Sequence, residues 1–412
     1  MITVLLILSV GAGFSRPGTN LFRRLAESFL IGAGVSFALL LLESLLHIPW
    51  TRLGVVVPLL LIAVSGIMVR RHELRVTIPR LHWLDLITLA VIAGYARFAT
   101  MAPTPEYDFI GIWGVKAKEF FVARGIDWAW LANPFNEFAH VDYPLLVPLS
   151  FDLQMLVDGS GPGLMNVAFG VAALLMLRGF LAEEIAAPWM LALATLALAW
   201  TALSPWIGLA EGPLVAYGTA GLLLIRKGEV ERGAVMLGLA ASCKNEGLTL
   251  IVAAMIAAWS IRRFWPALIA APWLVLRSVH HLQTDLTSGP ILPRVVEHLS
   301  HPLPMLRAMF VYSLGKPLFW SGIFLALLLG FRQLRRERFL ALAIALQLAF
   351  FIGAYLVTPH DVTWHVRWSW ERIVTQLAAA MGFLAVVVLF GRQGFGEQTP
   401  VGTPSLENSD KY

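Results

Sequence analysis

Residues Thr104 to Phe121 read TPEYDFIGIWGVKAKEFF, with Glu106 and Asp108 two positions apart. In an extended segment that spacing points both carboxylates to one side and Tyr107 to the other, the geometry a shared site requires. Such a pair can bind a divalent metal, deprotonate an acceptor hydroxyl, or serve as solvated loop charge. A second group, Lys244-Asn245-Glu246, interrupts a long apolar run in LGLAASCKNEGLTL. A charge at membrane depth costs roughly 2.5–3.5 kcal/mol on insertion scales, so it normally faces a cavity or a partner. Lys244 is suited to hold a phosphate as a point charge, or to pair with Glu246.

A third group is VTPHDVTWHVRWSWERIV, where His360, Asp361, His365, Arg367, Glu371 and Arg372 alternate with Trp364, Trp368 and Trp370. Tryptophans at a water interface are expected as anchors. Arg372 lies near the start of the last apolar helix, where a cation is mildly unfavourable without an anion nearby. Glu371 is one candidate for that anion and a phosphate is another, since helix N-termini and arginine forks both bind phosphate oxygens. The fourth group, SPWIGLAEGPL, puts Glu211 just before a helix that Pro213 can start. Glu211 serves there as a helix-start charge or as a contact for a sugar hydroxyl. His280, His281, His298 and His301 do not follow a zinc-ligand spacing. No Walker-type glycine loop, GxGxxG, HExxH or GxSxG occurs in a usable context, which argues against nucleotide-driven transport and against protease or lipase chemistry.

The elements that position these groups follow from composition. Of 412 residues, 58% are hydrophobic and only 14% charged, which places the chain among integral membrane proteins. The expected fold is all-α and polytopic, with about 12 or 13 transmembrane helices. Apolar segments lie near 2–14, 27–46, 54–69, 84–100, 163–180, 188–203, 213–226, 233–260 in two pieces, 264–279, 306–331, 338–357 and 373–391. The first lacks a basic n-region and is read as a helix rather than a signal peptide. The net charge of +5 sits mostly in short loops, RPGTNLFRR, RRHELRVTIPR, RKGEVER, IRRF and RQLRRER, and the positive-inside rule assigns these to the cytoplasm. No basic stripe suggests nucleic acid. The outward loops are then 101–162, 204–212, the Lys244 region, 280–305 and 358–372, and every polar cluster falls in one of them.

Within the first large loop, the YPLLVPLSFDLQMLVDG stretch carries prolines and Asp152, so it reads as an interfacial or re-entrant helix. Ile112 to Arg124 is expected to lie in the interface, with Trp113, Ala117, Phe120 and Phe121 on one face and Lys116 and Glu119 elsewhere. Residues 1–391 are read as one transmembrane catalytic domain, with 1–80 as extra N-terminal helices and 101–162 as an outward loop. Residues 392–412, polar with Gly and Pro, read as a disordered cytoplasmic tail. Cys243 is the single cysteine, which excludes an intrachain disulfide.

Taken in order, these motifs resemble the GT-C superfamily of integral membrane glycosyltransferases, such as protein O-mannosyltransferases and the aminoarabinose transferases of lipid A. The acidic pair matches EYD, the proline-rich stretch after it is similar to DYPLLVPL, the acidic residue and proline before a helix are similar to AEGPL, and a later helix break is similar to CKNEG. WGVKAK, HVDYPLL, KNEG and TPHDVTWHVRWSWER together look like an uncharacterised bacterial branch. The likeness covers roughly residues 84–390. The sequence departs from the pattern in its additional N-terminal helices, in the lack of a large soluble C-terminal domain, and in GLMNVAFG standing where an arginine-containing sequence is usual.

The resemblance implies transfer of a sugar from a polyprenyl-phosphate donor to a glycan, lipid or protein acceptor at the outer face of the plasma membrane. It implies Asp108 as catalytic carboxylate with Glu106 supporting it or sharing a divalent cation, and Lys244, Arg367, Arg372 and His365 as donor-phosphate ligands. Glu211, Glu246, Tyr143, His360 and Asp361 are then sugar or acceptor contacts. A single carboxylate base with direct displacement gives inversion at the anomeric carbon. The competing expectation is a transporter or flippase for an anionic lipid or metabolite, with charges on both sides of the midplane; a structural membrane subunit is a third.

Overall fold

In hydrocarbon only a helix satisfies its own backbone within one segment, so apolar runs of this length fold as helices. The computed structural model describes residues 1–70, 77, 81–101, 107–204, 206–282 and 289–391, and among these every regular element is helical. The chain opens with α1 (Ile2–Ala12), α2 (Leu21–Leu45), α3 (Arg52–Arg70) and α4 (Asp85–Met101). The first large loop holds a π-helical turn at Phe109–Trp113, then α5 (Gly114–Ala123), α6 (Trp128–Leu131), a 3-10 turn at Pro134–Ala139 and α7 (Leu146–Asp158). Next come α8 (Gly163–Glu184), α9 (Pro188–Ala202), α10 (Glu211–Arg226), α11 (Val230–Cys243) and α12 (Glu246–Ala258). A 3-10 segment at Arg262–Ala270 leads to α13 (Ala271–Val279), α14 (Ile291–Ser300), α15 (Pro302–Ser313), α16 (Pro317–Leu329), α17 (Phe331–Leu334), α18 (Arg338–Val357) and α19 (Val362–Phe390).

The chain is an all-α membrane protein: α2, α3, α8, α18 and α19 are each long and apolar enough to cross a bilayer. Other expected segments are helical but shorter. The run 233–260 divides into α11 and α12 at Lys244 and Asn245. The run 306–331 is not one helix, because α15 ends at Ser313 and α16 starts at Pro317, a residue that fits the first turn of a helix and breaks an interior. At 13 residues α7 is about 20 Å long, too short to span, and its residues Leu146 to Gln154 are all buried. It packs between α1, α2 and α5. The tail expected at 392–412 lies outside the described residues.

Helix α10 forms the axis of the bundle, buried from Glu211 to Ile225 and packed against α8, α11 and α19. Over its length of about 24 Å it carries no charged residue between Glu211 and Arg226. At the Arg226 end the arginine-rich loops converge. Arg226 reaches Glu184 (2.9 Å) and Glu337 (2.5 Å), Arg23 pairs with Glu27 (2.7 Å) and Glu229 (2.5 Å), and Arg178 pairs with Asp85 (2.8 Å). At the Glu211 end lie the first large loop and the Lys244 break. Helix α1 belongs to the bundle through a close crossing with α2: a Cβ on Gly11 would sit 1.7 Å from the Ser28 carbonyl oxygen and 2.8 Å from Gly32 N. Small residues permit this backbone approach.

Candidate functional site

The break between α11 and α12 places Lys244. Its backbone is extended (φ −159°, ψ 152°), which takes its side chain out of the helical register. The ammonium lies 3.2 Å from Glu211 Oε1 and 2.8 Å from Glu246 Oε1. Both carboxylates stand in the first turns of their helices, α10 and α12, where the exposed N–H groups favour negative charge. From α19, Arg372 brings Nε to 3.6 Å from Glu211 Oε1 and donates through its terminal nitrogen to Asp108 Oδ2. Asp108 immediately precedes the π-helical turn. Asp108, Arg372, Glu211, Lys244 and Glu246 therefore form one continuous cluster drawn from four separate regions, with Glu211, only 2% exposed, shared by both cations.

Beside the cluster, the turn from His140 to Tyr143 is fastened from several directions. The Tyr143 ring is stacked on His140 (4.7 Å between centroids) and Trp113 (5.6 Å), and it lies within electrostatic reach of both Lys244 and Arg372. Asn245 donates to Asp142 Oδ2 (3.2 Å), the Trp273 indole donates to the Asp142 carbonyl (3.2 Å), and Arg277 lies 3.9 Å from the Asp142 carboxylate. Lys116 of α5 donates to the His140 carbonyl (2.6 Å). The α12 side is held by Gln347, which donates to the Glu246 carbonyl (3.2 Å) and to Thr249 Oγ1 (2.9 Å).

Other expected site residues pair with groups outside these five or lie outside the described residues. Glu106 lies outside the described residues, as does any cation site it would share with Asp108. Among the described residues no three His, Cys, Asp or Glu side chains are grouped to hold a metal. Asp361 caps α19 by accepting from Trp364 N (2.7 Å), about 16 Å along the helix from Arg372. Arg367 is exposed with its guanidinium 5.6 Å from the Trp368 ring, about 140° around α19 from Arg372. His365 shares a hydrogen bond with Thr358 Oγ1 (2.7 Å) and meets Tyr355 edge-on, while exposed His360 lies against Trp364 and His365. Glu371 is not the anion that balances Arg372: it pairs with Lys316 (3.0 Å), because consecutive helical residues point about 100° apart.

Lys116 corrects the reading of α5. Trp113, Lys116, Ala117 and Phe120 are spaced i, i+3, i+4 and i+7, so Lys116 belongs to the apolar stripe. All four are buried, and Phe121, expected on that face, is 39% exposed. Asp142 also escaped selection, since nothing in its sequence context distinguishes a buried, bonded loop aspartate from a solvated one.

A narrow groove of about 80 Å³ opens beside the cluster, walled by α9, α15, α16 and α19. Trp200, Phe319, Trp320 and Trp370 make it largely apolar, and the Lys316–Glu371 pair stands in its wall. Two further lining residues tie it to the cluster: Thr375 lies one turn beyond Arg372, and Val215 one turn beyond Glu211.

No protein-family model, curated protein or solved structure matches the chain. The chemistry of the site therefore rests on its own residues. Two cations lie among three carboxylates, all at one end of the bundle, with an apolar channel alongside. Such a set can take up an anionic group by exchanging it for a carboxylate on Arg372 or Lys244, and the carboxylate so released can accept a proton.

Proposed function

We propose that the chain is a membrane glycosyltransferase that moves a sugar from a polyprenyl-phosphate donor to an acceptor hydroxyl at the outer face of the plasma membrane. The observation that carries this reading is the run of contacts from Asp108 to Arg372, from Arg372 to Glu211, and from Glu211 to Lys244. The donor phosphate displaces Asp108 from Arg372 and lies between Arg372 and Lys244. Asp108 then accepts the proton of the acceptor hydroxyl as that oxygen bonds to the anomeric carbon, and the bond to the carrier phosphate breaks with its electron pair on the departing phosphate. Direct displacement of this kind inverts the anomeric centre. The apolar lining of the adjoining groove suits the first part of a prenyl chain lying along it, beside the Lys316–Glu371 pair.

The uncharged stretch of α10 between Glu211 and Arg226 favours this reading over a transport pathway lined with charge along its length. The test is turnover of a panel of polyprenyl-phosphate sugars by protein in nanodiscs, with and without chelator, comparing the parent with Asp108→Asn. The variant is expected to lose roughly 10²–10⁴-fold in rate, the usual contribution of a general base, while keeping its fold. Full turnover by Asp108→Asn, or retention of anomeric configuration in the product, rejects the mechanism. The chelator arm decides whether a divalent cation takes part.

A further inference from the structure

We propose that Lys116 is a positioning residue of this site: through the His140 carbonyl it seats the turn that presents Tyr143 to the Lys244–Arg372 cluster. Lys116 is fully buried, and its ammonium lies 5.4 Å from the Trp113 ring and 5.6 Å from the Tyr143 ring. The His140 carbonyl accepts from Lys116 Nζ (2.6 Å) and from the Tyr143 amide (2.9 Å), so one oxygen ties α5 to the turn. His140 holds a left-handed backbone (φ 45°, ψ 62°), which an L-residue keeps only where its surroundings enforce it. The Asn245–Asp142 bond fastens the other side of the turn to the helix break that carries Lys244. Displacing the amine would release His140 and Tyr143 together and loosen a wall of the cluster.

The groups facing Lys116 are His140, Asp142 and Tyr143 on the turn, and Trp113 on its own segment. Helix α7, packed against α5, carries Asp158, paired with the Met1 ammonium, and Asp152, whose carboxyl is pushed well up by burial. Burial pulls the Lys116 ammonium down to about 7, against an opposing pull from Asp142. Once the turn opens and water reaches the amine, its ordinary value of 10.5 returns. Opening therefore takes up a proton between about pH 7 and 10.5, and each unit of pH lowers the opening constant up to roughly tenfold. The seated turn is weakest below pH 7 and strengthens as pH rises.

This assignment borrows its site from the proposed function, yet its test needs no turnover: amide hydrogen exchange at Tyr143, resolved by residue, in nanodiscs from pH 7.5 to 9.5. Exchange chemistry is first-order in hydroxide, so ordinary amides accelerate in proportion as pH rises. Tyr143 is expected to keep a nearly constant rate, because its opening constant falls as the chemistry speeds up. In Lys116→Met the protection at Tyr143 is expected to fall roughly tenfold or more and the proportional rise to return, with α8 and α10 unchanged. Lys116→Arg, charged at every pH tested, is expected to show the proportional rise, because its opening takes up no proton. A proportional rise at Tyr143 in the parent protein overturns the proposal even where the Met variant does not fold, and so does unchanged Tyr143 protection in a folded Met variant. Absence of glycosyl transfer leaves these outcomes as they stand.

Discussion

Arg372 on the last helix donates to Asp108 in the first large loop, across 264 residues of chain, and its Nε faces Glu211 at 3.6 Å. One guanidinium thus stands between a partly exposed carboxylate and a buried one. The exposed partner is the one a ligand can displace; the buried one fixes the orientation of the fork.

Replacing Arg372 by Lys keeps the charge and loses the fork. A charge-assisted hydrogen bond contributes about 1.5–3 kcal/mol, so affinity for the donor phosphate is expected to fall roughly 10- to 100-fold. Titration of a polyprenyl-phosphate sugar into parent and variant, read by KM and by direct binding, checks this. Unchanged binding would remove Arg372 from the proposed phosphate site.

Among the described residues Lys244 is the one cation paired with Glu246, and it shares Glu211 with Arg372. Lys244→Met leaves buried Glu211 with Arg372 alone and half-buried Glu246 without its cation, and is expected to cost about 3 kcal/mol, the lower end for a broken buried pair. The double variant Lys244→Met/Glu211→Gln is expected to lose less than the two single changes combined, because the second removes a charge the first has stranded. Thermal unfolding of the four proteins in one detergent decides it; strict additivity would mean the contact carries no coupling.

At the α1–α2 crossing, Gly11→Val places a side chain against the Ser28 carbonyl. Overpacking of this kind typically costs 1–3 kcal/mol, and a collision with backbone sits at the upper end. The expected result is loss of the packed hairpin, seen as rapid proteolysis within residues 13–20, whereas Leu5→Val on the exposed face of α1 leaves the pattern unchanged. Equal resistance in both variants would detach α1 from the bundle.

Sidedness is open to a direct measurement because Cys243, the only cysteine, is buried and replaceable by alanine. In that background Glu137→Cys, exposed near the acidic cluster, is expected to react with an impermeant maleimide on intact cells. Arg336→Cys, exposed at the arginine-rich end, should react only after permeabilisation. The reverse pattern would put the proposed chemistry on the cytoplasmic side.

Composition and apolar spacing by themselves determined that this is a helical membrane protein, because continuous apolar runs approaching about 20 residues satisfy their backbone in lipid as helices, whereas a barrel needs short alternating strands. The interruption at Lys244 was equally plain, since three consecutive polar residues in a long apolar run must reach a cavity, a partner or water. Residue type also selected Asp108, Lys244 and Arg372 as groups that need partners. Which partners they take was decided by tertiary structure. Glu211 became the shared centre of the cluster, Glu371 turned to Lys316, and the run 306–331 divided at Leu314–Lys316. Spacing along a helix states which residues share a face, as it did for Trp113 and Lys116, but not which neighbour that face will meet. That depends on how each helix is rotated in the bundle, and the rotation is set by the packing of all of them at once.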